Sequence, residues 1–180
     1  NVGSFVTKYL TGNGVRVVGV SDSKGCIYNH EGLEYEKLYE VKRETGSVIN
    51  YRPRKVLENR EIFELPVDIL IPAALSDVIR KDNVERVKAK MVVEAANIPV
   101  SPEIEDVLRK KGVLVVPDII ANAGGVISSY AEYRGYNPEQ MLRLVQRKIR
   151  RNTITVLEYA GEKDMGLRDA AVNIAKERIR

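Results

Sequence analysis

Short apolar runs rich in β-branched residues alternate with longer amphipathic stretches along this chain, and this alternation constrains its fold more than any other feature. The pattern predicts buried strands at residues 15–20, 67–71, 91–96 and 113–116, with a further short strand at 48–51. Apolar residues at helical spacing predict helices near 2–10, 33–44 and 77–89, and a fourth helix that Ser101 caps and Pro102 opens. Strands separated by helices pair in parallel, so the pattern predicts an α/β fold with a doubly wound, mostly parallel sheet.

The strand pattern ends near Asn122, and the rest of the chain is predicted to be helical. One stretch runs from Gly124 to about Gly135, Pro138 opens a long helix, and Leu167 opens a last amphipathic helix. No change of composition marks a linker within the 180 residues. We therefore expect a single domain over residues 1–180, with helices at its C-terminal end.

Composition excludes several classes of protein. The chain is 44% hydrophobic and 30% charged, which is incompatible with a disordered chain. The 29 Lys and Arg residues exceed the 25 Asp and Glu residues by too little, and too evenly along the chain, to indicate a nucleic-acid-binding patch. No apolar run approaches the roughly 20 residues of a membrane helix. We therefore expect neither nucleic acid nor membrane as a partner.

The cysteine and histidine content argues against metal and thiol chemistry. Cys26 is the single cysteine, so no intramolecular disulfide can form, which fits a reducing compartment and predicts a cytoplasmic protein. The single His30 has no Cys or His cluster around it, so we expect no metal site. Cys26 has no obvious acid–base partner in the sequence, which argues against nucleophilic catalysis.

Small and polar residues follow several of the predicted strands. In an open parallel sheet, ligands bind beyond the carboxyl ends of the strands. Small side chains there would let a flat ligand approach the backbone, and carboxamides suit ribose hydroxyls or a nicotinamide amide. Taken alone, each segment is better explained by ordinary turn chemistry, so it is their recurrence that indicates a ligand site. The segments are Ser21-Asp22-Ser23, Pro72-Ala73-Ala74, Asn97, Pro117-Asp118 and 122–125.

Gly3 and Asp22 have the spacing of a dinucleotide-binding fingerprint. Gly3 stands at the start of a predicted helix, and Asp22 follows about 20 residues later, at the end of the next strand. This matches the last glycine of the fingerprint and the acidic residue that meets the ribose. The first two glycines of the fingerprint would precede Asn1. Gly3 and Asp22 by themselves are therefore weak evidence for dinucleotide binding.

Six motifs spread over the chain are shared with one protein family. They are NVG at 1–3, VVGVSDSKG at 17–25, VDILIPAA at 67–74, KAKMVVEAAN at 88–97, PDIIANAGGV at 117–126 and RDAA at 168–171. With these motifs the chain resembles the C-terminal nucleotide-binding domain of glutamate dehydrogenases, in their archaeal and bacterial hexameric branch. The resemblance covers essentially all 180 residues and implies a Rossmann-like fold whose first strand is missing.

The resemblance implies an activity and a set of binding residues. The family catalyses the reversible oxidative deamination of L-glutamate to 2-oxoglutarate and ammonia with NAD or NADP. The residues implied to bind the cofactor are Gly3 at the pyrophosphate, Asp22 and Ser23 around the adenosine ribose, Ala73 and Ala74 along the cleft, and Asn97 and Asn122 at the nicotinamide end. Val126 and Ser129 are implied to close over the substrate, with the Ser129 hydroxyl donating to the distal carboxylate of glutamate. No residue of this chain is implied to be catalytic.

The resemblance also implies partners outside these residues. The catalytic Lys and Asp of the family belong to a separate N-terminal substrate domain, and members assemble as homohexamers. We therefore expect residues 1–180 to be an NAD(P)-binding domain within a longer polypeptide, incomplete at its N-terminal end, truncated at its C-terminal end, and inactive alone.

Two alternatives stay open. Leucine, phenylalanine and valine dehydrogenases resemble the block at 122–127, but their pockets accept apolar side chains and lack a hydroxyl at the position of Ser129. A non-catalytic dinucleotide-binding module would share the cofactor motifs without the substrate domain. Between cofactors, the Asp22 carboxylate slightly favours NAD because it repels a 2′-phosphate, whereas Ser21, Ser23 and Lys24 could accommodate one.

Overall fold

The computed structural model of this protein describes residues 2–179, which form two compact units. The first unit contains the residues up to Val67 together with Glu85–Ala89. The second contains Asp68–Val84 and the residues from Lys90 onward. The single domain expected over residues 1–180 stays a prediction.

Two helices and an antiparallel sheet make up the first unit. The sheet has the order β1-β2-β3, and both pairings are antiparallel. Neither β2 nor β3 was predicted from the sequence. A two-residue turn, Ser23-Lys24, joins β1 to β2 and permits only antiparallel pairing. The elements are α1 (Val2–Gly12), β1 (Gly19–Asp22), β2 (Gly25–Tyr28), α2 (Tyr35–Thr45) and β3 (Lys55–Leu57), with 3-10 turns at Val48–Asn50 and Asn59–Glu64.

The core of the first unit lies between α2 and the sheet. Ile27, Leu38 and Tyr51 are among its buried residues.

The strand predicted at 48–51 is wrong, since Val48–Asn50 form a 3-10 turn. The Ser47 hydroxyl oxygen accepts a hydrogen bond from the Ile49 N–H and caps this turn, which holds the backbone away from an extended conformation.

A parallel sheet with helices makes up the second unit, and it confirms the predicted α/β class. Its sheet has the order β4-β5-β6, and both pairings are parallel. A hydrophobic cluster that includes Ile120, Val156 and Ile174 packs the C-terminal helices together. The elements are β4 (Ile69–Leu70), β5 (Met91–Val93), α3 (Pro102–Lys110), β6 (Leu114–Val116), α4 (Asp118–Ala121), α5 (Gly124–Tyr133), α6 (Pro138–Lys163) and α7 (Leu167–Ile179).

The helix predicted at 77–89 is wrong. Helical structure in this stretch is limited to a 3-10 turn at Val84–Arg86, and Ile79 forms a parallel bridge with Val100. The side chain of Asn83 explains the difference, because its Oδ1 accepts from the Arg80 N–H at 2.7 Å and its Nδ2 donates to the Val78 carbonyl at 2.8 Å. These bonds satisfy backbone groups that a helix would otherwise pair.

The predicted helix starts at two prolines are confirmed. Pro102 is the first residue of α3 and Pro138 the first residue of α6, where a missing N–H costs nothing. Asn137 and Gln140 form a reciprocal cap at the start of α6. Across residues 2–179 no helix is both long enough and apolar enough to span a bilayer.

Candidate functional site

The parallel sheet brings three of the predicted segments to one edge of the second unit. The Ala96 N–H donates to the Pro72 carbonyl at 2.9 Å, which joins the chain after β5 to the chain after β4. The Glu94 N–H donates to the Val116 carbonyl at 3.0 Å, which joins it to β6. The segments that follow the strands are therefore held side by side. They carry Ala73, Ala74, Asn97 and Asn122.

The carboxamides of Asn97 and Asn122 form a pair at this edge. Nδ2 of Asn122 donates to Oδ1 of Asn97 at 2.9 Å and to the Ala96 carbonyl at 3.1 Å. Among residues 2–179, Nδ2 of Asn97 and Oδ1 of Asn122 have no hydrogen-bond partner. The pair thus offers one donor and one acceptor, the complement of a primary carboxamide or of a hydroxyl group.

A buried cluster of one arginine and three carboxylates stands beside the asparagine pair. Nη2 of Arg168 lies 2.9 Å from Oε2 of Glu94 and 2.9 Å from Oδ1 of Asp118. Its Nε lies 2.6 Å from Oε1 of Glu105. We call these four residues the Arg168 cluster. The side chain of Arg168 is 17% exposed and that of Glu94 is fully buried, so the charges interact with little screening by water.

Burial changes the protonation of Glu94. It raises the pKa of the Glu94 carboxyl to about 8, and the neighbouring Glu105 carboxylate adds to this rise, whereas the hydrogen bond from Asp118 and the charge of Arg168 oppose it. Oε1 of Glu94 is buried and lacks a hydrogen-bond partner within the described part of the chain. Glu94 therefore binds a proton more readily than an ordinary carboxyl group, and a bound proton would reduce the negative charge that one guanidinium must balance.

The Arg168 cluster was not predicted from the sequence. Its members are far apart in sequence, since Arg168 is 63 residues from Glu105 and 74 from Glu94. One signal was available: Glu94 is a charged residue inside the apolar run 91–96. A carboxyl group in a buried strand needs a partner, and that need predicts a cation elsewhere in the chain.

Asp22 in the first unit accepts four hydrogen bonds through its carboxylate. A carboxylate has about four acceptor positions, so this one is saturated. Burial alone would raise the pKa of Asp22, but the bonds from Lys42, Val48 and the other donors outweigh it and hold that pKa below its usual value. A ribose hydroxyl could bind Asp22 only by replacing one of these donors. The donors are the Lys24 N–H (2.9 Å), the Lys42 ammonium (2.5 Å), the Ser47 hydroxyl (3.2 Å) and the Val48 N–H (2.8 Å).

Gly3 and Ser23, the other predicted residues of the first unit, are exposed. Gly3 lies in the first turn of α1, where backbone N–H groups have no intrahelical acceptor. Ser23 lies in the turn between β1 and β2, directly after Asp22. Gly3, Asp22 and Ser23 belong to the first unit, whereas the other six predicted residues belong to the second.

The two predicted substrate residues share one face of α5. Val126 and Ser129 are one turn apart on this helix, and both are exposed. Val126 is 76% exposed and is therefore accessible to a ligand. The Ser129 hydroxyl donates to the Gly125 carbonyl at 3.2 Å, and the Ser128 hydroxyl donates to the same carbonyl at 2.8 Å. The hydroxyl of Ser129 can therefore turn to a ligand without leaving Gly125 unpaired.

The Cys26 thiol is buried in β2 of the first unit. Burial, with the charge of Glu61, raises the pKa of the Cys26 thiol to about 11, so the thiol stays protonated and is a poor nucleophile. Within residues 2–179 no group of His, Cys, Asp and Glu has the arrangement of a metal site. Polar residues of α6 and α7, most of them basic, line a cavity of about 330 Å³; they are Arg147, Lys148, Arg151, Asn152 and Arg178.

The sequence matches a family of amino-acid dehydrogenases and several glutamate dehydrogenases within it. The family model for Glutamate/Leucine/Phenylalanine/Valine dehydrogenase matches residues 1–180. The glutamate dehydrogenase of Aeropyrum pernix is 46% identical, across 99% of this chain and 45% of that protein. The NADP-specific glutamate dehydrogenase of Saccharolobus shibatae is 37% identical and the NAD-specific one of Staphylococcus aureus 38%, each across 99% of this chain and 44% of the relative. The chain thus spans less than half the length of these relatives.

The fold is similar to that of a solved glutamate dehydrogenase. The hetero-hexameric glutamate dehydrogenase of Thermus thermophilus, in its leucine-bound form, matches with a TM-score of 0.87 and 32% sequence identity. The match covers 98% of this chain and 43% of that one. The similarity extends over both units, because each contributes a large part of the covered chain.

Proposed function

Since the chain belongs to the glutamate/leucine/phenylalanine/valine dehydrogenase family, we propose that it is the cofactor-binding part of an enzyme that oxidatively deaminates L-glutamate. The reaction yields 2-oxoglutarate and ammonia, is reversible, and uses NAD or NADP. The observation that carries the proposal is the Asn97–Asn122 pair at the carboxyl edge of the parallel sheet. Ligands of open α/β sheets bind at this edge.

The chemistry of the asparagine pair fits a nicotinamide cofactor. A nicotinamide carboxamide has one N–H donor group and one carbonyl acceptor, and the pair offers Nδ2 of Asn97 and Oδ1 of Asn122 in return. Ala73 and Ala74 add small side chains after β4, where a flat ring needs access to the backbone. When bound, the nicotinamide supplies the hydride acceptor or donor. Asn97 and Asn122 orient its ring.

The first unit supplies groups suited to the other end of the dinucleotide. The free N–H groups near Gly3 in the first turn of α1 suit the pyrophosphate, because a helix N-terminus favours anions. Asp22 would accept a ribose hydroxyl in place of one of its present donors, and Ser23 offers an exposed hydroxyl next to it. The proposed role of this unit is to hold the adenosine and phosphate groups.

Ser129 favours glutamate over apolar amino acids as the substrate. Its hydroxyl can donate to the distal carboxylate of glutamate, while Val126 covers the aliphatic part of the side chain. A site that hydrogen-bonds its substrate rejects analogues that leave the polar group unpaired. The second candidate, a leucine-, phenylalanine- or valine-type dehydrogenase, is supported by the family name and by the exposed apolar Val126.

The proposed enzyme needs groups from outside these residues. We infer a substrate domain that carries the catalytic Lys and Asp, within the same polypeptide, and assembly into a homo-oligomer. A cytoplasmic location belongs to the same proposal. The similarity to longer glutamate dehydrogenases supports the presence of further residues in the working enzyme.

A substrate panel on the full-length protein tests the proposal. Initial rates of NAD and NADP reduction are measured with L-glutamate, L-leucine, L-phenylalanine and L-valine. We expect kcat/KM to be highest with glutamate. Reduction with an apolar amino acid in place of glutamate would favour the second candidate, and binding of NADH without activity on any amino acid would favour a non-catalytic dinucleotide-binding module.

A further inference from the structure

Asp118 is bonded to both segments that carry the asparagine pair. Its Oδ2 accepts from the N–H of Ile98, the residue that directly follows Asn97, at 2.9 Å. Asp118 also begins α4, and its carbonyl accepts from the Asn122 N–H at 2.9 Å. A shift of Asp118 would therefore move Asn97 and Asn122 together.

The backbone at Ile98 depends on this contact. Ile98 has a φ of 44°, a left-handed conformation that is unfavourable for a β-branched residue. Its side chain is 56% exposed, so packing does not hold it in this conformation. Two hydrogen bonds of the Ile98 backbone hold this conformation. The Ile98 N–H donates to Oδ2 of Asp118, and the Ile98 carbonyl accepts from the Asp77 N–H at 2.9 Å. Such conformations persist where the surroundings enforce them.

Arg168 holds Asp118 in turn. Its guanidinium binds Oδ1 of Asp118 directly, and it binds Oε2 of Glu94, which accepts the Asp118 N–H at 3.0 Å. Arg168 is the only cation paired with Glu94, Glu105 or Asp118 within residues 2–179. Loss of the guanidinium would leave three buried carboxyl groups without a counter-charge, and Asp118 would turn toward water.

We propose that Arg168 is a positioning residue for the nicotinamide end of the cofactor, acting through Glu94 and Asp118 on the Asn97–Asn122 pair. This inference rests on the proposed function. Arg168 itself lies on α7 and is bonded to carboxylates, so its effect on the ligand is transmitted by the two backbone segments. The effect should fall on the nicotinamide group and spare the adenosine and phosphate groups, which are proposed to bind the first unit.

A comparison of two ligands separates positioning from general loss of structure. The full-length Arg168→Gln protein is titrated with NADH and with ADP-ribose, which lacks the nicotinamide. We expect the Kd for NADH to rise by about tenfold, as for one or two lost hydrogen bonds to the nicotinamide. The Kd for ADP-ribose should change by less than about twofold. The Kd of Arg168→Lys for NADH should lie between those of wild type and Arg168→Gln, because a lysine keeps the charge without the planar guanidinium.

Ile174→Ala provides the matched control for stability. Ile174 is buried on the same helix, in the cluster with Val156, and its apolar side chain takes no part in the ion pairs of Arg168. Its truncation should lower the Tm and leave the ratio of the two Kd values unchanged. The inference is overturned if Arg168→Gln weakens both ligands equally, or if Ile174→Ala produces the same selective loss. Should Arg168→Gln fail to fold, Arg168→Lys supplies the same comparison.

The two proposals fail in different ways. A wild-type protein that binds neither NADH nor ADP-ribose contradicts the proposed function. A wild-type protein that binds NADH more tightly than ADP-ribose, with a ratio that Arg168→Gln and Arg168→Lys leave unaltered, contradicts the positioning role alone.

Discussion

The ammonium group of Lys42 lies 2.5 Å from Oδ2 of Asp22, and the Val48 N–H donates to the same oxygen at 2.8 Å. This pairing places a positive charge directly beside the acidic residue proposed to meet the adenosine ribose. The carboxylate repels a 2′-phosphate, whereas the ammonium attracts one. The balance between NAD and NADP should therefore depend on Asp22 and Lys42 together.

Replacement of Asp22 should shift the full-length enzyme toward NADP. Asp22→Asn removes the negative charge and leaves Lys42 free to bind a phosphate, so we expect the ratio of kcat/KM for NADP to that for NAD to rise by about tenfold. Stability should fall by about 1–3 kcal/mol, because hydrogen bonds to a charged acceptor are lost. Steady-state kinetics with both cofactors and denaturant unfolding measure the two effects.

Lys42→Met is the complementary variant. It removes the cation and frees an acceptor position on Asp22, so the same ratio should fall. If both substitutions move the ratio in the same direction, neither residue selects the cofactor in the way proposed.

The stability of the protein should depend on pH through Glu94. Because the folded-state pKa of about 8 exceeds the ordinary value of 4.5, the folded protein binds more protons than the unfolded chain between these values. The contribution of Glu94 is therefore full below about pH 4.5, declines as the pH rises, and is lost above about pH 8. The groups that face Glu94 are Glu105 on α3, Asp118 on α4 and Arg168 on α7.

Glu94→Gln should remove most of this dependence. A glutamine resembles the protonated carboxyl, keeps an acceptor for Arg168 and Asp118, and does not ionise. We expect wild type to lose about 2 kcal/mol relative to Glu94→Gln between pH 6 and 8. Thermal unfolding at pH 6, 7 and 8 measures this as a Tm difference that grows with pH. A constant difference would mean that Glu94 does not titrate in this range.

The sequence predicted those parts of the fold that local signals determine. Pro102 and Pro138 marked helix starts, and three of the apolar runs correspond to the parallel strands β4, β5 and β6. The helix predicted at 77–89 was wrong because a single side chain, Asn83, satisfies the backbone groups of that loop. Helical periodicity in sequence does not reveal such a competitor.

The sequence predicts the positions of site residues that directly follow strands. It does not predict contacts between side chains that are far apart in the sequence. The position of Asn97 and Asn122 at one edge followed from parallel pairing. The saturation of Asp22 by Lys42 and Val48 was not predictable, because it depends on how α2 and the following turn pack near β1. The cofactor and substrate roles of individual residues came from the motifs shared with the family, because neither spacing nor composition indicates such roles.

Loss of the Asn122 carboxamide should weaken cofactor use. Asn122→Ala removes the bonds to Asn97 and to the Ala96 carbonyl and leaves the pair without its acceptor. We expect kcat/KM for the cofactor to fall by about tenfold, as for one or two lost hydrogen bonds. Asn152→Ala, at a half-buried asparagine of α6, is the matched control and should leave this value within about twofold. Equal effects of the two variants would contradict the role of Asn122.

Removal of the Ser129 hydroxyl should weaken the preference for glutamate. If Ser129 donates to the distal carboxylate, Ser129→Ala leaves that charge under-satisfied, and a hydrogen bond to a charged group contributes about 1.5–3 kcal/mol. The kcat/KM for glutamate in the full-length enzyme should therefore fall by about tenfold to a hundredfold. Relative activity toward norvaline and leucine should rise, since an apolar side chain loses nothing there, and the KM for the cofactor should hardly change.

Ser128 provides a control for Ser129 on the same helix. Both hydroxyls donate to the Gly125 carbonyl, at 2.8 Å from Ser128 and 3.2 Å from Ser129, so either substitution removes one equivalent bond within α5. Only Ser129 shares the exposed face of Val126 at one-turn spacing. Ser128→Ala should therefore leave the kcat/KM for glutamate within about twofold of wild type. If both variants lose activity to the same degree, or Ser129→Ala retains wild-type kinetics, then Ser129 acts within its own helix and does not bind the substrate.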